Sequence, residues 1–106
     1  MSSLNNNYDE LERLIYEDGL KIKALHFHPE VDLMLIVLTN GKVLQRTITS
    51  SPRLKQATAE QLNNYRLIGK GAGVHWEEVD EDLSLKGFLK EEISRSIEEI
   101  KTNRVA

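Results

Sequence analysis

The chain has 106 residues, of which 40% are hydrophobic and 29% are charged, and its formal net charge is −3 at neutral pH. This length supports one hydrophobic core, so we predict a single domain over residues 1–106. The absence of cysteine excludes disulfides, thiolate catalysis and cysteine-ligated zinc. No apolar run reaches the roughly 20 residues of a membrane span, and the first residues do not resemble a secretory signal. We therefore expect a cytoplasmic protein without a membrane anchor.

Charge is unevenly distributed along the chain. The net charge is −4 over residues 1–41, +5 over residues 42–70 and −4 over residues 77–106. The basic segment 42–70 either neutralises its acidic flanks in the fold or forms a patch for an anionic partner such as a nucleic acid. The negative total argues against general nucleic-acid binding, so we do not expect direct binding of DNA or RNA.

The first predicted element is a short helix over about residues 8–18. Its apolar positions recur at helical spacing, and Gly19 is placed to end it. A strand is predicted over residues 20–28, closed by a turn at residues 29–31. The apolar positions of the helix are Tyr8, Leu11, Leu14 and Ile15.

The strongest local signal is a β-hairpin at Asn40-Gly41. Asn-Gly favours the two-residue turn in which both positions take positive φ. This turn predicts a register in which Leu35 faces Arg46. Strand 33–38 is apolar on both faces, so we expect it to be central and covered on both sides. Helices cover one face, and the N-terminal helix or another subunit is the candidate cover of the second.

Arg46 is unusual in this hairpin, because the predicted register surrounds it with apolar side chains. If the guanidinium is buried, it needs a carboxylate, and the acidic loop at residues 80–82 is the expected source. If the strand end is exposed, the side chain simply extends into solvent.

Helices dominate the rest of the predicted fold. Thr58 and Gln61 form a capping-box pattern, which starts a helix that ends near Asn64. A short extra strand is predicted at residues 65–68, and a last helix at about residues 85–104, where Glu91 and Arg95 are spaced as an ion pair. The fold class is therefore α+β: a three-stranded antiparallel meander followed by helices and a short strand, with added N- and C-terminal helices. The stripe of the last helix consists of Leu85, Phe88, Leu89, Ile93, Ile97 and Ile100.

Three glycines at alternate positions, Gly69, Gly71 and Gly73, precede His75 and Trp76. The GxGxG pattern matches neither the P-loop pattern nor the GxGxxG pattern of nucleotide-binding proteins. An extended segment follows it, where a phosphate site needs a helix N-terminus. This favours a tight bend or bulge. We interpret Trp76 as a core anchor, with an interface anchor as the alternative.

The histidines and acids leave two chemical alternatives open. His26 and His28 lie on one side of a strand, and His75 could supply a third metal ligand. A small hydrolase could instead use His75 with Asp80 or Asp82. The acidic run at 77–82 lacks the spacing of an EF-hand loop, so we expect it just before a helix, with Ser84 or Asp82 as the N-cap. No spacing is diagnostic of an enzyme, a metal or a cofactor, and none is predicted.

Several of these motifs occur together in an order that resembles the bacterial family called domain of unknown function 2442. The resemblance covers about residues 20–89, and residues 8–18 and those beyond Leu89 are additions. Two positions depart from it: Ser50-Ser51 replaces an aromatic pair, and Glu77 replaces a proline. The motifs are LTNG (38–41), PRL (52–54), AT-x-EQ (57–61), LIG-x-G-x-G-V-HW (67–76) and DEDLS-x-x-G-x-L (80–89).

The resemblance implies a small α+β domain without established catalytic activity. Members are often encoded beside another small protein, in an arrangement like that of toxin–antitoxin pairs. Some are fused to a helix-turn-helix domain, for which this chain has no room. We therefore expect a non-catalytic protein-binding module, antitoxin-like or regulatory, which binds a small protein such as the product of an adjacent gene and self-associates, with a dimer favoured.

The residues assigned to this module fall into two groups. Family-motif positions are Asn40, Gly41, Pro52, Arg53, Leu54, Gly69, Gly71, Gly73, His75, Trp76, Asp80, Asp82 and Ser84. Candidate interface positions are Arg46, Ile93, Ile97 and Ile100. Alternatives to this function are the hydrolase or metal-binding protein at His75 and a nucleic-acid-binding accessory that uses residues 42–70.

Overall fold

The computed structural model describes residues 9–103, which form two three-stranded antiparallel sheets and four helices. The predicted α+β class and its first meander are confirmed. Tyr8 and residue 104, at the two ends of the predicted helices, lie outside the described residues. In chain order the elements are α1 (Glu10–Tyr16), β1 (Ile22–His28), β2 (Leu33–Leu38), β3 (Val43–Arg46), α2 (Pro52–Lys55), α3 (Ala59–Asn63), β4 (Tyr65–Ile68), β5 (Gly73–Trp76), β6 (Glu81–Ser84) and α4 (Leu85–Asn103).

The two sheets repeat one arrangement of elements. Each contains a strand, a 3₁₀ turn, a second strand, a tight turn and a third strand, and a helical segment follows each sheet. The 3₁₀ turns lie at Pro29–Val31 and Gly69–Gly71. Only β4 of the second sheet was predicted as a strand, because β5 contains a glycine and β6 lies within the acidic run.

The register of the first hairpin differs from the prediction by one residue. Leu38 N donates to Lys42 O at 2.9 Å, and Gly41 N donates to Leu38 O at 2.9 Å. The loop therefore has three residues, and Gly41 adopts a φ of +90°, as in a type I turn that ends in a glycine bulge. Arg46 consequently lies opposite Met34 instead of Leu35.

Strand β2 is central, as predicted, but only one of its faces is fully covered. Met34, Ile36 and Leu38 are buried, whereas the alternate residues of β2 are half-buried. Within the described residues no element of this chain covers the second face completely, and its cover by another subunit stays a prediction. Val43 of the neighbouring strand extends the partly exposed apolar face.

Both sheets contribute to one core, and Trp76 lies at its centre with no exposed surface. Its indole Nε1 donates to Leu62 O at 2.9 Å. The rings of Phe27 and Tyr65 pack against it with centroid distances of 6.3 and 6.5 Å, within the range of favourable aromatic pairs. The core interpretation of Trp76 is confirmed. The other buried apolar residues include Ile15, Leu25, Met34, Ile36, Leu44, Leu54, Val74, Leu85 and Phe88.

Helix α4 is attached to the first sheet through Arg46. The Arg46 guanidinium binds Glu91 with two hydrogen bonds, of 2.9 and 3.0 Å, and lies 5.4 Å from the Phe88 ring centroid. The expected carboxylate therefore comes from α4 and not from residues 80–82. The predicted Glu91–Arg95 pair is also wrong, because Glu91 binds Arg46 and Arg95 binds Glu92.

Side chains occupy both outer edges of the first sheet. The Tyr65 hydroxyl accepts a hydrogen bond from Leu25 N of β1 at 3.0 Å. On the opposite edge, Arg95 Nη1 donates to Gln45 O of β3 at 2.8 Å.

Within residues 9–103, no helix has the length and apolar composition needed to cross a lipid bilayer.

Candidate functional site

The glycine-rich motif forms a turn between β4 and β5 of the second sheet, and this turn packs against the first sheet. Gly69, Lys70 and Gly71 have φ values of +58°, +59° and +102°, a left-handed run that favours glycine. A Cβ on Gly71 would lie 2.6 Å from Ile22 O. The turn therefore packs directly on the backbone of β1, as the tight-bend interpretation predicts.

The PRL motif holds the turn between β5 and β6. Arg53 Nη1 donates to Asp80 O at 2.9 Å and to Asp80 Oδ2 at 3.3 Å. Asp80 adopts a φ of +54°, and this contact stabilises its conformation. Ser51 caps α2 and donates to Glu81 at 2.6 Å, while Leu54 is fully buried. The structure thus brings the PRL motif (52–54) and the motif at 80–89 together, and their contact holds the β5–β6 turn.

The acidic run does not lie directly before a helix, as was expected, because β6 intervenes. Its members enter the β5–β6 turn and β6 itself. Ser84 follows them and accepts a hydrogen bond from Gly87 N at 3.0 Å. Ser84 is therefore the N-cap of α4, which confirms one of the two predicted candidates and excludes Asp82.

Arg66, His75 and Asp82 form a row across the outer face of the second sheet, because they are paired in register on β4, β5 and β6. His75 Nδ1 lies 2.5 Å from Asp82 Oδ1, and His75 Nε2 lies 3.0 Å from Glu77 Oε1. Glu77 also contacts Arg66 Nη2 at 3.4 Å. We call these four residues the histidine network.

The histidine network favours the imidazolium form of His75. The hydrogen bond to Asp82 raises the pKa of His75 above its ordinary value, and the bond to Glu77 raises it further, although partial burial acts in the opposite direction. Contact with His75 and Arg66 in turn lowers the pKa of Glu77. An imidazolium donates from both ring nitrogens, which matches one carboxylate on each side.

This geometry bears on the hydrolase alternative. A general base needs a ring nitrogen that can accept a proton from the substrate, but carboxylates contact both nitrogens of His75. Asp80 contacts Arg53 and is 85% exposed, so it does not join His75. Only Asp82, of the two predicted acids, pairs with the histidine.

The histidines are divided between the two sheets, His26 and His28 on β1 and His75 on β5. Among the described residues, no cluster of three or more histidines and acids is arranged to hold a metal ion. The three histidines are thus not assembled into the metal site that was considered.

A cavity of about 430 Å³ adjoins the histidine network on the second sheet. We call it the Gly73 cavity, because Gly73 of the central strand and its two partners in register, Ile68 and Ser84, all line it. Asp82 belongs to both the cavity wall and the histidine network. The lining residues are Tyr16, Ile68, Gly69, Ala72, Gly73, Asp82, Leu83 and Ser84.

The remaining predicted positions lie elsewhere. Asn40 accepts a hydrogen bond from Lys42 N at 3.0 Å in the first hairpin. Ile93, Ile97 and Ile100 are 46%, 48% and 66% exposed. In the basic segment 42–70, all three arginines are paired with carboxylates, namely Arg46 with Glu91, Arg53 with Asp80 and Arg66 with Glu77. This pairing agrees with internal neutralisation.

Sequence reasoning missed Arg66, Glu77, Ile68 and Tyr16. Arg66 and Ile68 could be found only from the register of the second sheet, which a four-residue strand does not reveal. Tyr16 comes from α1, far away along the chain. The departure at Glu77 is the one signal that was available, because this residue is the second carboxylate on His75.

Comparisons with known proteins identify relatives without an assigned activity. The family model described as "Protein of unknown function (DUF2442)" matches residues 22–94. A crystal structure of a protein of unknown function from Rhodospirillum rubrum is 26% identical, with a TM-score of 0.61, over 69% of this chain and 88% of that chain. An NMR structure of an uncharacterised protein from Chromobacterium violaceum is 26% identical, with a TM-score of 0.63, over 83% of this chain and 80% of that chain. No curated protein matches.

Proposed function

This chain belongs to the family of proteins of unknown function DUF2442, and from that premise we propose that it is a non-catalytic protein-binding module of the cytoplasm. It pairs with a small partner protein, such as the product of an adjacent gene, as an antitoxin or a regulatory subunit does. The observation that supports this proposal best is the exposed apolar stripe on the C-terminal half of α4.

Helix α4 has 19 residues, more than its contacts with the core require. Leu85, Phe88 and Leu89 are buried, and Glu91 and Arg95 bind β3. At about 100° per residue, Ile93 and Ile97 lie on the side of the helix opposite to Glu91 and Arg95. Ile100 continues this side one turn later, so the three isoleucines form one apolar stripe.

The isoleucine stripe suits a helix-in-groove or helix–helix contact. Isoleucines at i, i+4 and i+7 are the anchors that an amphipathic helix presents to a partner. Each isoleucine that a partner fully covers contributes on the order of 1–2 kcal/mol. Grouped exposure of this kind on a helix favours an interface over isolated surface residues.

A second copy of the chain is a further proposed partner, at a different surface. Leu35 and Val37 are half-buried on the outer face of the first sheet, and Val43 is 49% exposed there. We expect a dimer that covers this face, with light scattering as the measurement of mass in solution. A monomer at all concentrations would contradict the dimer but leave the α4 contact intact.

The partner contact is tested by co-expression with the product of the adjacent gene, followed by copurification. We expect Ile97→Glu to weaken the complex about tenfold or more, because a carboxylate would be buried in an apolar contact. Thr102→Glu is the matched control, since Thr102 is exposed and lies outside the stripe. Retention of the complex by Ile97→Glu, or its equal loss in both variants, would exclude the stripe as the interface.

The two other functions predict different results. A nucleic-acid-binding accessory would lose affinity steeply with added salt, whereas an apolar stripe would respond weakly. A hydrolase would turn over a substrate in the native protein and lose that activity in His75→Ala. Either result would replace the proposed function.

A further inference from the structure

We propose that the Gly73 cavity binds a basic side chain, an arginine or lysine presented by a protein partner. This deepens the proposed function by naming the chemistry that the partner offers at a second surface, and it rests on that function only for the source of the side chain. The cavity itself can be tested without any partner.

The cavity is built into the sheet. Gly73 occupies the central strand, and a Cβ there would lie 3.2 Å from Leu83 O and 3.3 Å from Ile68 Cγ1. Any other residue at position 73 would therefore press on Ile68 and on the backbone of β6, so the shape of this wall depends on glycine. A volume of about 430 Å³ falls at the small end of ligand pockets, which range from about 300 to 1,000 Å³, and it accommodates one long side chain.

The walls are mainly apolar. Ile68, Ala72 and Leu83 line the cavity, and α1 contributes Tyr16, which is 56% exposed. The methylene stem of lysine or arginine packs on such surfaces while its charged end reaches a polar group. Lys21 Nζ already lies 5.5 Å from the Tyr16 ring centroid, so a ligand cation would be a second cation near this ring.

One charged group lines the cavity among the described residues, and it is Asp82. Its Oδ1 binds His75 Nδ1, and the side chain is 69% exposed, so a ligand can reach the carboxylate. Ser84 adds a hydroxyl, whose oxygen accepts from Gly87 N. A mainly apolar depression whose one charged lining group, within the described chain, is a carboxylate complements an aliphatic cation and not an anion or a neutral polar group.

The histidine network holds this carboxylate in place by pairing it with His75. His75 divides its two ring nitrogens between Asp82 and Glu77, and Glu77 also contacts Arg66. Arg66 and a protonated His75 thus balance Glu77 and Asp82 within the network. A ligand cation would share Asp82 with His75, as charge networks on protein surfaces commonly do.

The test uses n-butylguanidinium as the probe and neutral n-butylurea, which has nearly the same shape, as its control. We expect saturating shifts of the Gly73, Asp82 and Ser84 amide signals with n-butylguanidinium and not with n-butylurea. Asp82→Asn should weaken binding about tenfold, the loss expected for a charge-assisted hydrogen bond. Glu77→Gln is the matched control, because Glu77 also binds His75 but does not line the cavity.

Three results would overturn the inference. They are equal binding of the two probes, an absence of saturating shifts at these amides, and equal weakening by Asp82→Asn and Glu77→Gln. Tyr16→Leu provides a second variant, which keeps an apolar wall but removes the aromatic ring, and it should weaken n-butylguanidinium severalfold. Loss of the partner complex in Ile97→Glu with normal probe binding would separate the α4 contact from the cavity.

Discussion

The two sheets follow the same order of elements but use it differently. The first sheet has strands of seven, six and four residues, and its outer face is partly apolar. The second has three strands of four residues, and its outer face carries the histidine network and the Gly73 cavity. One topology thus supports an apolar surface in one half and a polar recess in the other.

The short second sheet is held in shape mainly by its contacts with other parts of the chain. Long strands with alternating burial bring enough side chains into the core to fix their own pairing. The second sheet instead depends on the Gly71 contact with β1, on Trp76 in the shared core and on Arg53 at its turn. We expect its stability to be the more sensitive to changes at these points.

The largest effect is expected at the glycines. Gly71→Ala combines a φ of +102° with a Cβ only 2.6 Å from Ile22 O, so it should lower the free energy of unfolding by about 3 kcal/mol or more. Gly41→Ala has a similar φ of +90° but nothing within 4 Å, and should cost about 1–2 kcal/mol. Chemical denaturation of both variants measures the difference. Equal losses would show that the 69–71 turn does not hold the sheets together.

A smaller and pH-dependent effect is expected at His75. Because the folded-state pKa of His75 is raised, its stabilising contribution is complete below the unfolded value of about 6.5 and is lost as the pH rises through the folded pKa. The stability difference between the native protein and His75→Gln should therefore shrink as the pH increases across that range. Denaturation at several pH values measures it.

The origin of this effect can be assigned with two further variants. Asp82→Asn should lower the pKa of His75 more than Glu77→Gln does, because the Asp82 hydrogen bond is the larger cause of the shift. NMR titration of the His75 ring signals measures both. The reverse order would mean that Glu77 is the principal partner.

The smallest effect is expected at Asp80, where the second sheet has an aspartate at positive φ and the first sheet has Gly41. Asp80→Gly relieves the strain of a non-glycine residue at positive φ. It also raises the conformational entropy of the unfolded chain and removes an exposed ion pair. The main contact of Arg53 is with the backbone oxygen of Asp80, at 2.9 Å, and it remains. The free energy of unfolding should change by less than about 0.5 kcal/mol. A loss of several times that amount would mean that the carboxylate itself holds the turn.

The predictable parts of this fold were those with strong local signals. The Thr58 capping box and the Pro29–Val31 turn form as expected, and the continuous apolar run of β2, apolar on both faces, identified the central strand. The predicted hairpin register was wrong by one residue, because Asn40-Gly41 also suits a three-residue loop. Local sequence does not distinguish these turns, and the choice between them moved Arg46 to the buried face.

The candidate site was predictable as a set of motif blocks but not as a geometry. His75 was considered with either Asp80 or Asp82, and the β5–β6 register selects Asp82. The true partner of Arg46, Glu91, is 45 residues away along the chain. Pairs between such distant residues depend on how helices and strands pack, which the spacing of residues along the sequence does not reveal.

The two side chains on the edges of the first sheet restrict how the molecule can assemble. An incoming strand would have to displace the Tyr65 hydroxyl from Leu25 or the Arg95 guanidinium from Gln45 before it could bond to the backbone there. Strand addition, the route to fibres and aggregates, is therefore opposed at both borders. Other chains can therefore associate with the first sheet through its broad face or through neighbouring helix surfaces, and such contacts form complexes of limited size.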